Sequence, residues 1–219
     1  MIEGLEIMLS ESRERQIIDF AKQYRQLMMI YESGIKQITT KLEILNEEYK
    51  VKGERTPIES IKSRVKSPES IAGKLERKGL EVSIPAISDN LYDVAGVRVI
   101  CSYISDIYAV RDMLLAQADV KLIKEKDYIK NPKINGYRSL HLVVEIPVYL
   151  SSVVYPVKVE IQIRTIAMDF WASLEHNIRY KTIENIPEGV EQELYECAET
   201  IAETDRKMEE IAEKIRKVL

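Results

Sequence analysis

The sequence predicts an α+β protein in which helices flank a mixed β-sheet and a long helix lies at each end of the chain. At both ends, apolar residues recur at helical spacing. From about residue 95 to 164 the spacing changes to the two-residue alternation of strands, and a short turn joins two of these strands as a hairpin. Helical stretches lie between other strands, and this combination is typical of α+β domains. The 219 residues are expected to form one domain.

The N-terminal arm, about residues 11–50, carries a heptad pattern with alternating spacings of four and three. This pattern predicts a long helix that packs on the domain or on a partner helix. Its members are Ile17, Ala21, Tyr24, Met28, Tyr31, Ile35, Ile38, Leu42, Leu45 and Tyr49.

The predicted core spans about residues 55–185 and begins with a short helix near Ile71–Lys78. Gly79 is expected to end this helix, and Pro85 is expected to lie in the loop after it. The predicted strands cover about residues 95–103, 120–127, 138–147 and 154–164.

Two further helices are predicted within the core, and a third follows it. One contains residues 110–116, and another begins near Ile166 with Thr165 as its N-cap. The C-terminal helix, about residues 188–219, has an apolar face that is expected to pack on the first helix or across a dimer. That face comprises Val190, Leu194, Cys197, Ile201, Met208, Ile211, Ile215 and Leu219.

The composition is that of an ordinary soluble globular protein, with 45% hydrophobic and 31% charged residues. Its apolar runs are far shorter than the ~20 residues that span a bilayer. Glu3 and Glu6 stand where a signal peptide would carry basic residues, so a cytoplasmic location is expected. Cys101 and Cys197 have neither a CxxC partner nor a histidine cluster, so both are expected to be buried thiols and not zinc ligands or disulfide partners.

Charge is segregated along the chain, although the net charge is only −4. Residues 62–78 form a basic block, whereas residues 184–210 are strongly acidic. An anionic ligand is therefore expected to bind the middle of the chain.

A polar strand face is the most informative feature. In Val157–Thr165 the apolar residues alternate with Lys158, Glu160, Gln162 and Arg164, so these four polar side chains share one face. Such a face is either a solvated edge or the base of a binding site.

Asp93 lies at the start of the first core strand, where an aspartate is often a structural cap. Together with Glu160 it could instead supply the two protein oxygen ligands that Mg²⁺ typically takes beside substrate phosphates and water. The sequence therefore makes a magnesium site plausible.

The loop at residues 131–141 is shaped by Pro132 and Gly136. Lys133 could bind a phosphate, and Tyr137 could either stack on a base or lie at the edge of the core. His141 is either a structural histidine within a strand or a contact to phosphate or ribose.

The helix after the polar strand offers a candidate for base recognition. Asp169 could accept two hydrogen bonds from the edge of guanine, or it could merely complement the helix dipole. Phe170, Trp171 and Leu174 are expected in the core.

The basic block is the last candidate. Lys74 and Arg77 lie three residues apart and could bind one anion, in particular a nucleoside triphosphate, or form a solvated helix face. Arg64 and Lys66 precede them.

The motifs RVK, DVAGVR, NGYRSLH and VEIQIRT with AMDFWASLEH, in this order, resemble the synthetase domain of RelA/SpoT alarmone synthetases. The resemblance covers about residues 55–185 and is strongest to the small, single-domain GTP pyrophosphokinases. It implies a nucleotidyltransferase-like synthetase domain that transfers the β,γ-pyrophosphate of ATP to the 3′-hydroxyl of GDP or GTP. Val94 stands where the family commonly has isoleucine, a conservative change.

The resemblance also implies a role for each candidate residue. Asp93 and Glu160 would hold Mg²⁺, and Glu160 would also orient or deprotonate the 3′-hydroxyl. The ATP-binding set would be Arg64, Lys66, Lys74, Arg77 and Arg98. The GDP- or GTP-binding set would be Lys133, Tyr137, His141, Gln162, Arg164 and Asp169.

The resemblance further implies a homotetramer with allosteric binding of alarmone. No HD dipeptide is present, so the hydrolase activity of the long relatives is not expected. Two alternatives stay open: a pyrophosphotransferase that acts on the 3′ end of tRNA, and a catalytically silent module that binds nucleotide or single-stranded RNA.

Overall fold

The structure is a computed structural model that describes the backbone of residues 2–181 and 189–217 and the side chains of residues 14–178 and 189–217. Within these residues, six helices and five strands follow one another. In chain order they are α1 (Ile2–Val51), β1 (Ile58–Val65), α2 (Pro68–Glu76), α3 (Ile84–Asn90), β2 (Ala95–Cys101), α4 (Ile104–Leu115), β3 (Lys121–Asp127), β4 (Leu140–Tyr149), β5 (Val154–Thr165), α5 (Ile166–Lys181) and α6 (Val190–Arg216). Leu219 and the glutamates at 184 and 188, which belong to predicted segments, lie outside the described residues.

The strands form a mixed sheet in the order β1-β2-β5-β4-β3. The central pair β2 and β5 is parallel, and the other pairs are antiparallel. The predicted α+β class with a mixed sheet is therefore confirmed. Because β5 occupies the middle of the sheet, its polar face cannot be a solvated edge.

One face of the sheet is apolar and carries α1, which contacts β1, β2, β4 and β5. Gly34 allows this close approach, since a Cβ atom there would lie 2.8 Å from Cγ1 of Val157. The helix packs through the C-terminal part of its heptad, where Ile38 and Leu42 are fully buried, whereas Ile17 is 66% exposed. Only part of the predicted heptad therefore packs on this domain.

Two elements differ from the sequence prediction. Strand β1 was not predicted, because this edge strand buries few side chains and shows no clear alternation. Pro85 lies in the first turn of α3 and not in a loop. Ser83 caps this helix by accepting a hydrogen bond from the amide of Ala86, and proline fits a first turn because its missing N–H has no helical partner there.

The C-terminal helix α6 packs on α4 and α5. Its buried residues are Ala198, Ala202, Asp205 and Ala212. Only part of the predicted apolar face makes these contacts: Ile201 packs against Trp171, Ala172 and Ala198, whereas Met208 is 49% exposed. Cys197 is exposed, contrary to the prediction of a buried thiol. Cys101 is buried as predicted.

No helix in the described part of the chain is both long enough and apolar enough to cross a membrane.

Candidate active site

The polar face of the sheet aligns side chains from all five strands in two transverse rows. One row contains Lys62, Arg98, Gln162, His141 and Lys126. The other contains Arg64, Gly96, Glu160, Val143 and Lys124. Because neighbouring strands lie about 4.8 Å apart, each row spans roughly 19 Å, which is enough for an extended ligand. The pairing therefore concentrates positive charge on one side of the sheet around the carboxylate of Glu160.

Two cavities open on this face. The smaller one, of about 230 Å³, is lined by residues that include Arg64, Gly96 and Arg98. The larger one, of about 500 Å³, is lined by residues that include Lys74, Lys78, Lys124, Lys126, Tyr128, Lys133 and His141. Both cavities are lined by Asp93 and Glu160, so these carboxylates stand where the two cavities meet.

Asp93 is held by two lysines. Its Oδ2 atom accepts a hydrogen bond from Nζ of Lys66 at 2.8 Å and lies 2.7 Å from Nζ of Lys74. Burial acts to raise the pKa of Asp93, but hydrogen bonds and charge from both lysines outweigh it, so the pKa lies below its ordinary value. The Oδ1 atom is buried and has no hydrogen-bond partner among the described residues.

Glu160 is also held as an anion. Its Oε2 atom accepts a hydrogen bond from Nε2 of Gln162 at 2.9 Å, and its Oε1 atom lies 3.7 Å from Nδ1 of His141. Burial and the charge of Asp93 act to raise the pKa of Glu160. The interactions with His141 and Gln162 outweigh both, so the pKa lies below its ordinary value. The carboxylate is therefore ionised at neutral pH and can act as a base or a metal ligand.

The donor set fits a magnesium ion that is completed by substrate. The described residues contain no group of three or more histidine, cysteine, aspartate or glutamate side chains that could hold a metal by themselves. The unpartnered Oδ1 of Asp93 and the carboxylate of Glu160 nevertheless offer two hard oxygen ligands. Mg²⁺ commonly binds through one or two carboxylates and leaves its other positions to phosphates and water.

Tyr137 and His141 form part of one polar network. The hydroxyl of Tyr137 accepts a hydrogen bond from Nη2 of Arg164 at 2.6 Å and lies 2.8 Å from Nε2 of His141. Nζ of Lys133 lies 4.8 Å from the ring centre of Tyr137 and 5.0 Å from that of Tyr128. Both side chains are half-buried. His141 lines the larger cavity, whereas Tyr137 lies outside the lining of both cavities and packs against the apolar cluster of Trp171, Ala172 and Ala198, as its core-edge alternative predicted.

Arg164 is the buried centre of this network, with a side chain only 6% exposed. It donates to Asp169 Oδ1 at 3.1 Å and to Gln162 Oε1 at 3.0 Å. The same Oδ1 atom lies 3.2 Å from Nη1 of Arg98. Two guanidinium groups therefore hold Asp169. The sequence suggests guanine recognition or complementation of the helix dipole for this residue, and neither interpretation includes these ion pairs.

Helix α5 is only partly buried. Trp171 is buried as predicted and donates from Nε1 to the carbonyl of Leu194 at 3.1 Å. The prediction that Phe170 and Leu174 lie in the core is wrong, since they are 58% and 46% exposed. They lie on the outer side of α5, which neither the sheet nor α6 covers.

Only part of the basic block, residues 62–78, reaches the site. Lys66 and Lys74 both reach Asp93, and Lys74 lines the larger cavity. Arg77 is the exposed C-cap residue of α2 and lies outside the lining of both cavities. The predicted pairing of Lys74 with Arg77 on one anion is therefore not preformed.

Three lysines that line the larger cavity, Lys78, Lys124 and Lys126, belong to none of the predicted nucleotide-binding sets, although Lys78 lies in the predicted basic block. A signal for two of them was present, because Lys124 and Lys126 alternate along a predicted strand and must share a face. Only the position of that strand beside β4 shows that the shared face belongs to the site.

Comparison with known proteins agrees with the geometry. A family model described as a region found in RelA / SpoT proteins matches residues 63–185. The GTP pyrophosphokinase YwaC of Bacillus subtilis (strain 168) is 50% identical over 181 residues, which is 83% of this chain and 86% of the relative.

Two solved structures are also similar. The small alarmone synthetase 1 from Bacillus subtilis, bound to its product pppGpp, superposes with a TM-score of 0.81 at 36% identity, covering 89% of this chain and 98% of that one. A structure of the same synthetase bound to AMPCPP gives a TM-score of 0.75 at 33% identity, with 89% and 98% covered.

Proposed function

The chain belongs to the RelA/SpoT family, and from this membership we propose that it is a GTP pyrophosphokinase that makes alarmone. It transfers the β,γ-pyrophosphate of ATP to the ribose 3′-hydroxyl of GDP or GTP and releases AMP. The observation that carries this proposal is the position of Asp93 and Glu160 at the junction of two cavities, where a donor and an acceptor can meet.

ATP belongs on the side of the smaller cavity. Arg64 and Arg98 extend from β1 and β2 on one face and can stack on adenine. Lys66 and Lys74 converge on Asp93, where they can also neutralise the phosphates. Arg77 is expected to contribute least to ATP binding in this set, because its side chain must reach the site from the exposed end of α2.

GDP or GTP belongs on the side of the larger cavity. Tyr137 offers a ring for guanine, and Lys133 lies over that ring, so it must move aside or form part of the stack. Lys124 and Lys126 add positive charge for the acceptor's phosphates, and His141 stands between Tyr137 and Glu160. Gln162 and Arg164 hold Glu160, Tyr137 and Asp169 in place. Asp169 can read the guanine edge once it gives up a guanidinium partner.

The chemical step is a displacement at the β-phosphorus of ATP. Glu160 accepts the proton of the 3′-hydroxyl while the 3′-oxygen forms a bond to the β-phosphorus. The bond between that phosphorus and the α,β-bridging oxygen breaks, and AMP leaves with this oxygen. Most of the catalysis is positioning and charge neutralisation, which the lysines and arginines around the site supply.

Asp93 and Glu160 would hold Mg²⁺ at the junction, where the ion would neutralise charge on the phosphates. The low pKa of both carboxylates supports this assignment, because a metal ligand must be ionised.

A homo-oligomer is part of the proposal, as the family resemblance implies. Exposed apolar side chains on α5 and α6 support it, since these faces have no cover within the described residues. They are Ile166, Phe170 and Leu174 on α5 and Met208, Ile211 and Ile215 on α6. The tetrameric state, allosteric binding of (p)ppGpp and binding of single-stranded RNA stay predictions.

The acceptor can be identified with ATP labelled at the γ-phosphate. Purified protein is incubated with this ATP and Mg²⁺ and, in separate reactions, with GDP, GTP, GMP and tRNA. We expect label in a guanosine nucleotide and an equal amount of unlabelled AMP. Label in tRNA alone would establish the alternative pyrophosphotransferase, and nucleotide binding without transfer to any acceptor would establish the silent module.

A further inference from the structure

We propose that helix α6 positions the acceptor-binding loop, residues 131–139, and that Glu199 is a positioning residue for GDP or GTP. This inference rests on the proposed function. Glu199 belongs to the acidic C-terminal segment, lies outside both cavities described above and belongs to none of the predicted nucleotide-binding sets.

The loop backbone lies directly against α6 at Gly136. This residue has a φ of +81°, and a Cβ atom there would lie 2.5 Å from Cβ of Ala198. Real Cβ atoms do not approach so closely, so a glycine is required both for the backbone conformation and for the contact. Gly136 directly precedes Tyr137, so the position of α6 determines where the ring of Tyr137 lies.

Arg138 ties the same part of the loop to α6 through its side chain. Its Nη1 atom donates to the carbonyl of Gly136 at 3.0 Å, and its Nη2 atom donates to Oε1 of Glu199 at 2.8 Å. The Arg138 side chain is only 12% exposed, whereas that of Glu199 is 42% exposed. Removing Glu199 therefore leaves a largely buried guanidinium without this partner and frees the loop that it braces.

The start of α5 is held by α6 as well. Oγ1 of Thr165 donates to Oδ2 of Asp205 at 2.6 Å and accepts from the amide of Met168 at 3.1 Å, which caps the helix. Both side chains are buried. The capped turn leads directly to Asp169, so α6 supports the second acceptor element in addition to the loop.

The contacts described above join α6 to one side of the site only. The loop and α5 carry residues proposed for the acceptor, whereas the residues proposed for ATP lie on or next to β1, α2 and β2. A loosened contact with α6 should therefore weaken acceptor binding much more than ATP binding.

Kinetics of Glu199→Ala test this prediction. We expect the KM for GDP to rise about five- to tenfold and the KM for ATP to change less than about twofold. Glu199→Gln should recover part of the loss, because its amide oxygen can still accept from Arg138. Glu203→Ala is the matched control, since Glu203 lies one turn further along α6 and pairs with Lys207 of the same helix at 2.7 Å. It should behave as the wild type.

Amide hydrogen exchange provides a readout that does not depend on turnover. Exchange in residues 131–139 should be faster in Glu199→Ala than in Glu203→Ala and the wild type. Equal exchange in the two variants, or equal changes in both KM values, would overturn the inference. A wild-type protein that transfers no pyrophosphate to any guanosine nucleotide would instead refute the proposed function, while the exchange rates would still report on the loop.

Discussion

The proposed donor and acceptor sides of the site hold their charged groups in different ways. On the donor side, Arg64 is exposed, and Lys66 and Lys74 share the single carboxylate of Asp93. On the acceptor side, Arg164 is buried and donates to several neighbours, among them Tyr137, Gln162 and Asp169. The donor side thus keeps positive charge available for a polyphosphate, whereas the acceptor side is preorganised by its own hydrogen bonds.

The two sides also differ in sequence range. The residues proposed for ATP come from one stretch, residues 64–98, whereas the proposed acceptor side combines a loop, two strands and α5 with support from α6. Changes on the donor side should mainly affect ATP binding, and changes on the acceptor side should affect folding as well.

Glu160→Gln should have the largest effect, because Glu160 lines both cavities. We expect kcat to fall by about 10²–10⁴-fold, since the variant would lose the proposed base and a proposed oxygen ligand of the metal. The melting temperature should change little. Lys158→Gln is the control on the same strand and face, and it should keep near-normal turnover; a Glu160→Gln kcat within threefold of the wild type would exclude the proposed role of this residue.

A matched pair of arginine substitutions tests the difference between the two sides. Arg164→Met should lower the free energy of unfolding by about 3 kcal/mol, because it breaks a buried charged network. Arg64→Met should change it by less than about 0.5 kcal/mol, as for most exposed positions, but should raise the KM for ATP roughly tenfold.

Urea titration gives the unfolding free energies, and steady-state kinetics give the KM values. Equal destabilisation by the two substitutions would show that the acceptor side is no more preorganised than the donor side.

Asp205→Asn should have the smallest effect, and its sign depends on pH. Burial raises the pKa of Asp205 above its ordinary value of 3.8, and the charge of Glu209 acts in the same direction, while Thr165 and Arg206 oppose it. The favourable contribution of the protonated form is present below that value and is lost as the pH rises through the folded-state pKa. Asparagine keeps an acceptor for Thr165 without the buried charge.

The variant should therefore gain stability relative to the wild type between pH 4 and pH 7.5, by on the order of 1 kcal/mol or less. Urea titrations of both proteins at the two pH values measure this difference. A difference that shrinks towards pH 7.5 would show that ionised Asp205 stabilises the fold.

Much of the site was predictable because its pattern is local. The alternation in Val157–Thr165 required Glu160, Gln162 and Arg164 to share a face, and the structure places them there. The separation of Asp93 and Glu160 along the chain, in contrast, does not show that the two residues meet. They meet because β2 and β5 pair in parallel, with Gly96 opposite Glu160.

Predictions failed where burial depends on a neighbour that the local pattern does not identify. Phe170 and Leu174 are apolar and helical, but the sheet and α6 cover only one side of α5. The C-terminal helix likewise packs through small alanines together with Ile201, whereas its larger side chains Met208, Ile211 and Ile215 stay exposed. Small residues allow two helices to approach closely, and hydrophobicity alone does not rank them as contact residues.

The sequence by itself determined the fold class, the polar face of the central strand and the residue types of a nucleotide site, because side-chain alternation, helical periodicity and motif spacing are properties of short segments. The tertiary structure alone decided how Asp93 and Glu160 are brought together, that two arginines hold Asp169, and that α6 contacts the loop at residues 131–139. These features depend on strand register and helix packing, which join residues far apart in the chain and are selected by the energy of the whole fold.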